Sequence, residues 1–173
     1  EAIAAIAKSF PIYFTIIAIG VGLTAGTNTL IGNNLGANNK KKASLFIAQS
    51  IIFAIFLSVL VTFFGLNVSD FLLSLMGSDP DGIILSREYL DIIFYGTIIV
   101  LIQISLNGTL NAQGDTKSYR NVLIFTFFLN IFLNPLFIFG YGFVPAFGIA
   151  GLAIATVVAQ FTGLLYLCLL YTS

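Results

Sequence analysis

Residues 107–160 read NGTLNAQGDTKSYRNVLIFTFFLNIFLNPLFIFGYGFVPAFGIAGLAIATVVAQ. A polar turn at Gly114-Asp115 is followed closely by Lys117 and Arg120, and then by a long apolar run that holds Asn130 and Asn134. A Gly/Pro-rich break from Gly140 to Gly148 leads to a second apolar run, in which Gly151, Ala155, Ala159 and Gly163 recur every four residues. Small residues at that spacing form a helix face that a neighbouring helix can approach closely. The pattern is membrane helix, short loop, membrane helix, with polar groups buried inside the first.

The rest of the chain agrees. Of its 173 residues, 58% are hydrophobic and 8% charged, against roughly 25% charged in a soluble domain. So few charges cannot cover a water-facing surface, so lipid is the solvent for most of the chain. The formal net charge is zero, which argues against nucleic acid as a partner. With no His and one Cys, a His/Cys metal cluster, an internal disulfide and His-based catalysis are all excluded. The fold class is all-α and integral to the membrane.

Charges punctuate the chain into five expected spans, about 10–31, 45–66, 89–110, 120–139 and 149–167, each near the ~20 residues a bilayer requires. Pro11 suits the first turn of the first span, and Ala18, Gly22 and Gly26 form a small-residue stripe along it. The loop at 32–44 is glycine-rich and ends in three lysines but lacks the phosphate-binding G-x-x-x-x-G-K-[ST] pattern. The stretch from Asn67 to Asp91 is polar and acidic and reads as a long connection, with Phe71 to Met76 lying at the interface. Asp115 is placed to cap the fourth helix. The last six residues, 168–173, resemble the translated end of a sequencing adapter, so 1–167 is expected to be the native part of a longer chain.

Basic-residue bias orients the spans. The loops at 32–44 and 111–120 hold Lys40, Lys41, Lys42, Lys117 and Arg120, while the other side has Lys8, Arg87 and nearly all the acids. By the positive-inside rule the lysine loops are cytoplasmic, in a cell (inner) membrane. Tyr13, Tyr89, Tyr119 and Tyr141 fall near span ends and are expected at the interface. The two cytoplasmic turns, LGANNK and LNAQGDTK, share a faint repeat, a habit of transporters.

No ionisable residue falls deep in an expected span, where proton relays and ion sites usually place Asp or Glu. The deep polar groups are amides and hydroxyls. Asn130 and Asn134 share one helix face, with Thr126 a turn before them. Thr156 and Gln160 make a similar pair on the fifth span, and Asn107 is among the polar groups of the third. Such groups in hydrocarbon must meet protein or a water-filled cavity. Interhelical hydrogen bonds and a binding site both satisfy that requirement, and spacing does not choose between them.

GLTAGTNTLIGNNLGANNKKKAS, TLNAQGDTKSYRN, FLNIFLNPLFIFG and FGIAGLAIAT resemble, in order, parts of the second helix with its following turn, the turn after the fourth helix, the fifth helix and the start of the sixth helix of the multidrug and toxic compound extrusion (MATE) family. The resemblance implies helices two to six of the N-terminal lobe of a two-lobe, roughly twelve-helix transporter. It implies a monomeric secondary antiporter, not an enzyme, that exports cationic or amphipathic organic compounds in exchange for Na⁺ or H⁺, with no other cofactor. Its remaining helices, helix one and the second lobe, would complete the site. By the same resemblance Asn130 and Thr156 match an Asn and a Thr of the family's cation site, with a candidate Na⁺ position between them. Asn134 stands where those members carry Asp. The substrate and cation set is therefore Asn130, Asn134, Thr156, Asn107 and Thr126. The alternative is a lipid-linked oligosaccharide flippase of the same superfamily, for which a cationic cavity is expected.

Overall fold

The computed structural model describes residues 2–142 and 144–172, with side chains for 4–142 and 144–169. The described residues form five helices, α1 (Ala2–Gly36), α2 (Lys40–Leu75), α3 (Pro80–Ala112), α4 (Lys117–Phe139) and α5 (Ile149–Thr172). All five are long and apolar enough to cross a membrane. α5 takes in Cys168 to Thr172 of the expected adapter tail, and Ser173 lies outside the described residues.

The span centres fall where hydropathy puts them, but the first three helices run well past the expected ends. α2, at 36 residues, rises about 54 Å at 1.5 Å per residue, well beyond a ~30 Å hydrocarbon core. Phe71 to Leu75 is thus not a separate interfacial segment but the last turns of α2, and the expected long acidic connection shrinks to the turn between Leu75 and Pro80. Mutual pairing of the polar residues explains the extension. Arg87 Nη1 donates to the Leu66 carbonyl (3.0 Å), to Ser69 Oγ (3.1 Å) and to Asp70 Oδ1 (3.1 Å). Its Nε stands 3.0 Å from Asp91 Oδ1, close enough for an ion pair but not aligned as a hydrogen bond. Asp79 then starts α3 as its N-cap, accepting from the Gly82 N–H, with Pro80 in the first turn. Lys8 Nζ donates to the Gly77 carbonyl (2.8 Å), tying this turn to α1.

One further expectation changes. α1 begins at Ala2, so Pro11 lies inside it rather than in its first turn. Of the four tyrosines expected at the interface, Tyr13 and Tyr89 pack against one apolar cluster and Tyr119 against another, while Tyr141 is 83% exposed.

α3 is the central helix. It packs against α1, α2 and α5 and touches α4 slightly, while α4 rests mainly on α5. Leu90, Ile93, Phe94 and Leu101 of α3 are buried, and the Phe94 ring lies so close to Gly65 of α2 that a Cβ there would meet it at 2.2 Å. The small-residue face of α5 behaves as expected, with Gly151, Ala155, Ala159 and Gly163 all buried. The stripe on α1 does not. Ala18, Gly22 and Gly26 are exposed, and Gly22 and Gly26 line an apolar groove of about 740 Å³ between α1 and α2. The outward faces of α2 and α4 carry exposed phenylalanines, among them Phe63, Phe64, Phe127, Phe128 and Phe132, as helices in lipid do.

Candidate functional site

α4 reaches its place through two polar devices. At its start, Asp115 Oδ1 accepts from the N–H groups of Lys117 (3.1 Å) and Ser118 (3.0 Å), and its other oxygen from the Ser118 hydroxyl. The helix begins at Lys117, ahead of the expected start near Arg120, with Thr116 rather than Asp115 at the formal cap position and without a side-chain bond there. Asp115 still satisfies the orphan donors. The Ser118 hydroxyl is the largest cause holding this exposed carboxyl below the usual carboxylate range, followed by the Ser118 N–H, with Lys117 adding to both. At the other end, the chain folds back so that the N–H groups of Phe147 and Gly148 reach the Phe137 and Ile138 carbonyls (2.9 and 3.3 Å).

Within α4 the two asparagines bond to each other. Asn134 Nδ2 donates to Asn130 Oδ1 at 2.7 Å. Both side chains are half-buried, and Asn134 Oδ1 is inaccessible and without a hydrogen-bond partner among the described residues. Pro135 follows directly and has no N–H for the Ile131 carbonyl, four residues back. Neutral oxygens with unused lone pairs therefore collect on one turn of α4, as in sites that coordinate a hard cation.

Thr126 is 5% exposed, one turn before Asn130, and donates to the Leu123 carbonyl. Thr156 on α5 donates to the Leu152 carbonyl (2.9 Å), and no hydrogen bond joins it to Asn130 or Asn134 among the described residues. Thr126 instead meets α3 and α5. A Cβ on Gly163 would stand 2.8 Å from the Thr126 methyl and 3.2 Å from Gln103 Nε2, so three helices converge there because residue 163 has no side chain.

Asn107 belongs to a different place. It lines a cleft of about 410 Å³ between α1 and the α4–α5 pair, floored by α3. The other polar groups of this cleft are Thr24, Gln103, Tyr119 and Gln160. Thr24 is occupied, donating to the Ile104 carbonyl (3.2 Å). Gln103 is 1% exposed, and neither its amide nitrogen nor its amide oxygen has a hydrogen-bond partner among the described residues. The sequence-derived set is thus divided into an asparagine pair on α4, Thr126 at the three-helix junction, Thr156 within α5, and Asn107 in the cleft. Thr24, Gln103, Tyr119 and Gln160 of the cleft lie outside that set. Their signal was weak: a glutamine in mid-span looks like packing, and a tyrosine near a span end looks like an interfacial anchor.

Comparison with known proteins fits this architecture. The MatE family model matches residues 1–136. The chain is similar to the probable multidrug resistance protein YoeA of Bacillus subtilis, at 32% identity over 96% of this chain and 36% of that protein. It is also similar to the FAD transporter of Shewanella oneidensis, at 31% identity over 90% of this chain and 34% of that protein. It therefore spans about a third of the length of these curated relatives. Among solved structures it matches the inward-facing conformation of a multidrug resistance MATE family transporter of the MOP superfamily, with a TM-score of 0.90, 31% identity, and coverage of 97% of this chain and 37% of that one. An outward-facing conformation of such a transporter matches with a TM-score of 0.86, 31% identity, and coverage of 95% and 36%.

Proposed function

Because the chain belongs to the MatE family of multi-pass membrane transporters, we propose that it forms most of one lobe of a secondary antiporter that exports cationic or amphipathic organic compounds in exchange for Na⁺ or H⁺. The observation that carries this reading is the α4 asparagine pair, which leaves the Asn134 Oδ1 oxygen buried and without a partner among the described residues. A polar atom kept unpaired in hydrocarbon is costly, and a coupling ion bound there would relieve the cost. An amide oxygen coordinates Na⁺, whereas an amide takes up no proton at neutral pH. The pair therefore favours Na⁺, with Thr156 as a further oxygen on the neighbouring helix, and assigns no proton step to α4.

Exposed Lys40, Lys41, Lys42, Lys117 and Arg120 support a cytoplasmic position for loops 32–44 and 111–120 in a cell (inner) membrane. On the opposite side Arg87 is ion-paired with Asp70 and Asp91, and Lys8 donates to the Gly77 carbonyl. A monomer completed by the remaining helices of its own chain fits this reading. The cleft wall supplied by these helices carries no arginine or lysine among the described residues, which weighs against the flippase alternative.

The test is ethidium export by the full-length transporter in inverted membrane vesicles under imposed Na⁺ and H⁺ gradients. Asn130→Leu and Asn134→Leu are expected to insert normally and to lower Na⁺-driven export about tenfold or more, the scale of losing one charge-assisted contact. Normal export by both variants would sink the assignment.

A further inference from the structure

The seam between α1 and α2 opens outward as an apolar groove of about 740 Å³. Gly22, Gly26 and Leu30 are among its lining on α1, and Phe46, Phe53 and Phe56 on α2. A Cβ on Gly22 or Gly26 would have nothing within 4 Å, so bare backbone forms part of the groove floor. The lining runs from Ile19 to Leu30 and from Phe46 to Leu57, a rise of about 17 Å on each helix. That is close to one leaflet of a ~30 Å hydrocarbon core.

The groove ends at exposed cations. Lys40, Lys41 and Lys42 form the first turn of α2 and are all exposed. Lys42 stands one turn before Phe46 and shares the helix face of Phe46, Phe53 and Phe56. On α1, exposed Asn33 continues the stripe of Gly22, Gly26 and Leu30 one turn past the groove. An ammonium and an amide, both hydrogen-bond donors, therefore flank its mouth. A lysine stem follows apolar surface while its charge stays at headgroup level, where a basic cluster attracts anionic lipid. The other half of the seam makes the contrast. A second apolar groove, of about 670 Å³, runs from Ile19 to Leu75 and Met76. It ends at the turn that carries exposed Asp79 and Asp81, where Lys8 is bonded to the Gly77 carbonyl. Two grooves of like apolar character thus end in opposite charge, and the first is complementary to an anion that carries an acyl chain.

We infer that the groove at the lysine end binds an anionic phospholipid, its headgroup phosphate at Lys40, Lys41 and Lys42 and one acyl chain along Gly22 and Gly26. Shape and charge act together. A zwitterionic lipid fills the groove equally well, but its own cation offsets the attraction of the lysines. The site lies apart from the α4 asparagines and from the cleft floored by α3. It stands on the groove and the lysines and does not depend on the exporter reading.

The test uses the full-length transporter, its other cysteines replaced by Ser, in lipid nanodiscs. Ile52→Cys, at an exposed position that lines the groove, carries a bimane fluorophore. Phosphatidylglycerol and phosphatidylcholine with a doxyl quencher on the acyl chain compete for it at equal mole fraction. Phosphatidylglycerol is expected to occupy the groove at least about tenfold more strongly, a preference that three lysines can supply. Lys40→Gln, Lys41→Gln and Lys42→Gln together should erase the preference, and arginine at the same positions should keep it. Gly22→Leu with Gly26→Leu fills the floor and should remove most of the phosphatidylglycerol quenching with the lysines intact. Equal quenching by the two lipids, or a preference that survives the glutamines, overturns the inference. Undiminished quenching in the leucine variant overturns it as well. So does full competition by glycerol 1-phosphate, which marks a site for free anions. Quenching by neither lipid means that another segment of the transporter covers the groove, and this too overturns it. If the glutamine variant fails to assemble, salt decides on the unaltered protein. The preference must then shrink at about 0.5 M NaCl, and persistence overturns the inference. Quenching reads binding and not export, so either outcome leaves the exporter reading to its own assay.

Discussion

Single polar side chains in this chain act mainly through what they leave paired or unpaired. Asp115 is the clearest paired case, satisfying two backbone donors and one hydroxyl at the start of α4. Those bonds favour its charged form, so its folded pKa lies below its unfolded value. A carboxyl depressed in this way stabilises the fold above the unfolded pKa, about 3.9. That contribution is lost as pH falls through the lower folded value. Asp115→Asn is therefore expected to keep part of the cap at neutral pH and to flatten the acid side of the stability profile. Asp115→Ala should lower Tm at pH 7. Thermal unfolding of the full-length protein at pH 7 and in the acid range checks both, and an unchanged acid slope in Asp115→Asn would show that the carboxylate is not the titrating cap. The unpaired groups are harder to read in a sequence. Asn130 and Asn134 stood out because four-residue spacing sets them on one face. Gln103 did not, because what marks it is a missing partner, a property of three helices meeting rather than of any spacing.

At the scale of helices, the small-residue stripes make a controlled comparison. Gly151 of α5 lies against the backbone of α4, where a Cβ would be 2.4 Å from the Phe137 carbonyl oxygen. Backbone cannot swing aside as a long side chain does, so Gly151→Ala must push α4 and α5 apart, at a cost of about 1–3 kcal/mol. Gly26 of α1 has nothing within 4 Å of its Cβ position. There Gly26→Ala should be neutral or stabilising by up to about 1 kcal/mol, because alanine is the better helix former. Denaturation of the two variants in the full-length protein checks the contrast, and an equal loss at Gly26 would mean that another segment packs on that stripe. The two stripes look alike in sequence, so spacing announced that a helix had a close-packing face but not whether a partner lay within this chain. Helix ends were illegible for a related reason. The existence and order of all five helices followed from apolar runs, whereas the outer ends of α2 and α3 are held by Arg87 and its partners, a pairing between helices that makes charged residues look like a loop.

Across the whole unit, one packing matches transporters caught in both inward-facing and outward-facing conformations. If the lobe keeps its internal contacts in both states, it moves as a body, and the change of access falls between lobes rather than between its own helices. The α3–α5 seam is where this is testable. A Cβ on Gly96 of α3 would stand 3.5 Å from the Val157 Cβ of α5, within the roughly 3.5–4.5 Å that a disulfide spans. Gly96→Cys with Val157→Cys, in a full-length protein whose other cysteines, Cys168 included, are replaced by Ser, should therefore oxidise readily and staple the central helix to its neighbour. Export by the cross-linked and reduced forms is expected to agree within about twofold if the lobe moves as a body. Loss of export on oxidation, restored by reductant, would instead mean that α3 and α5 part during each cycle. The cleft floored by α3, which residues of both α3 and α5 line, would then open and close by motion inside the lobe.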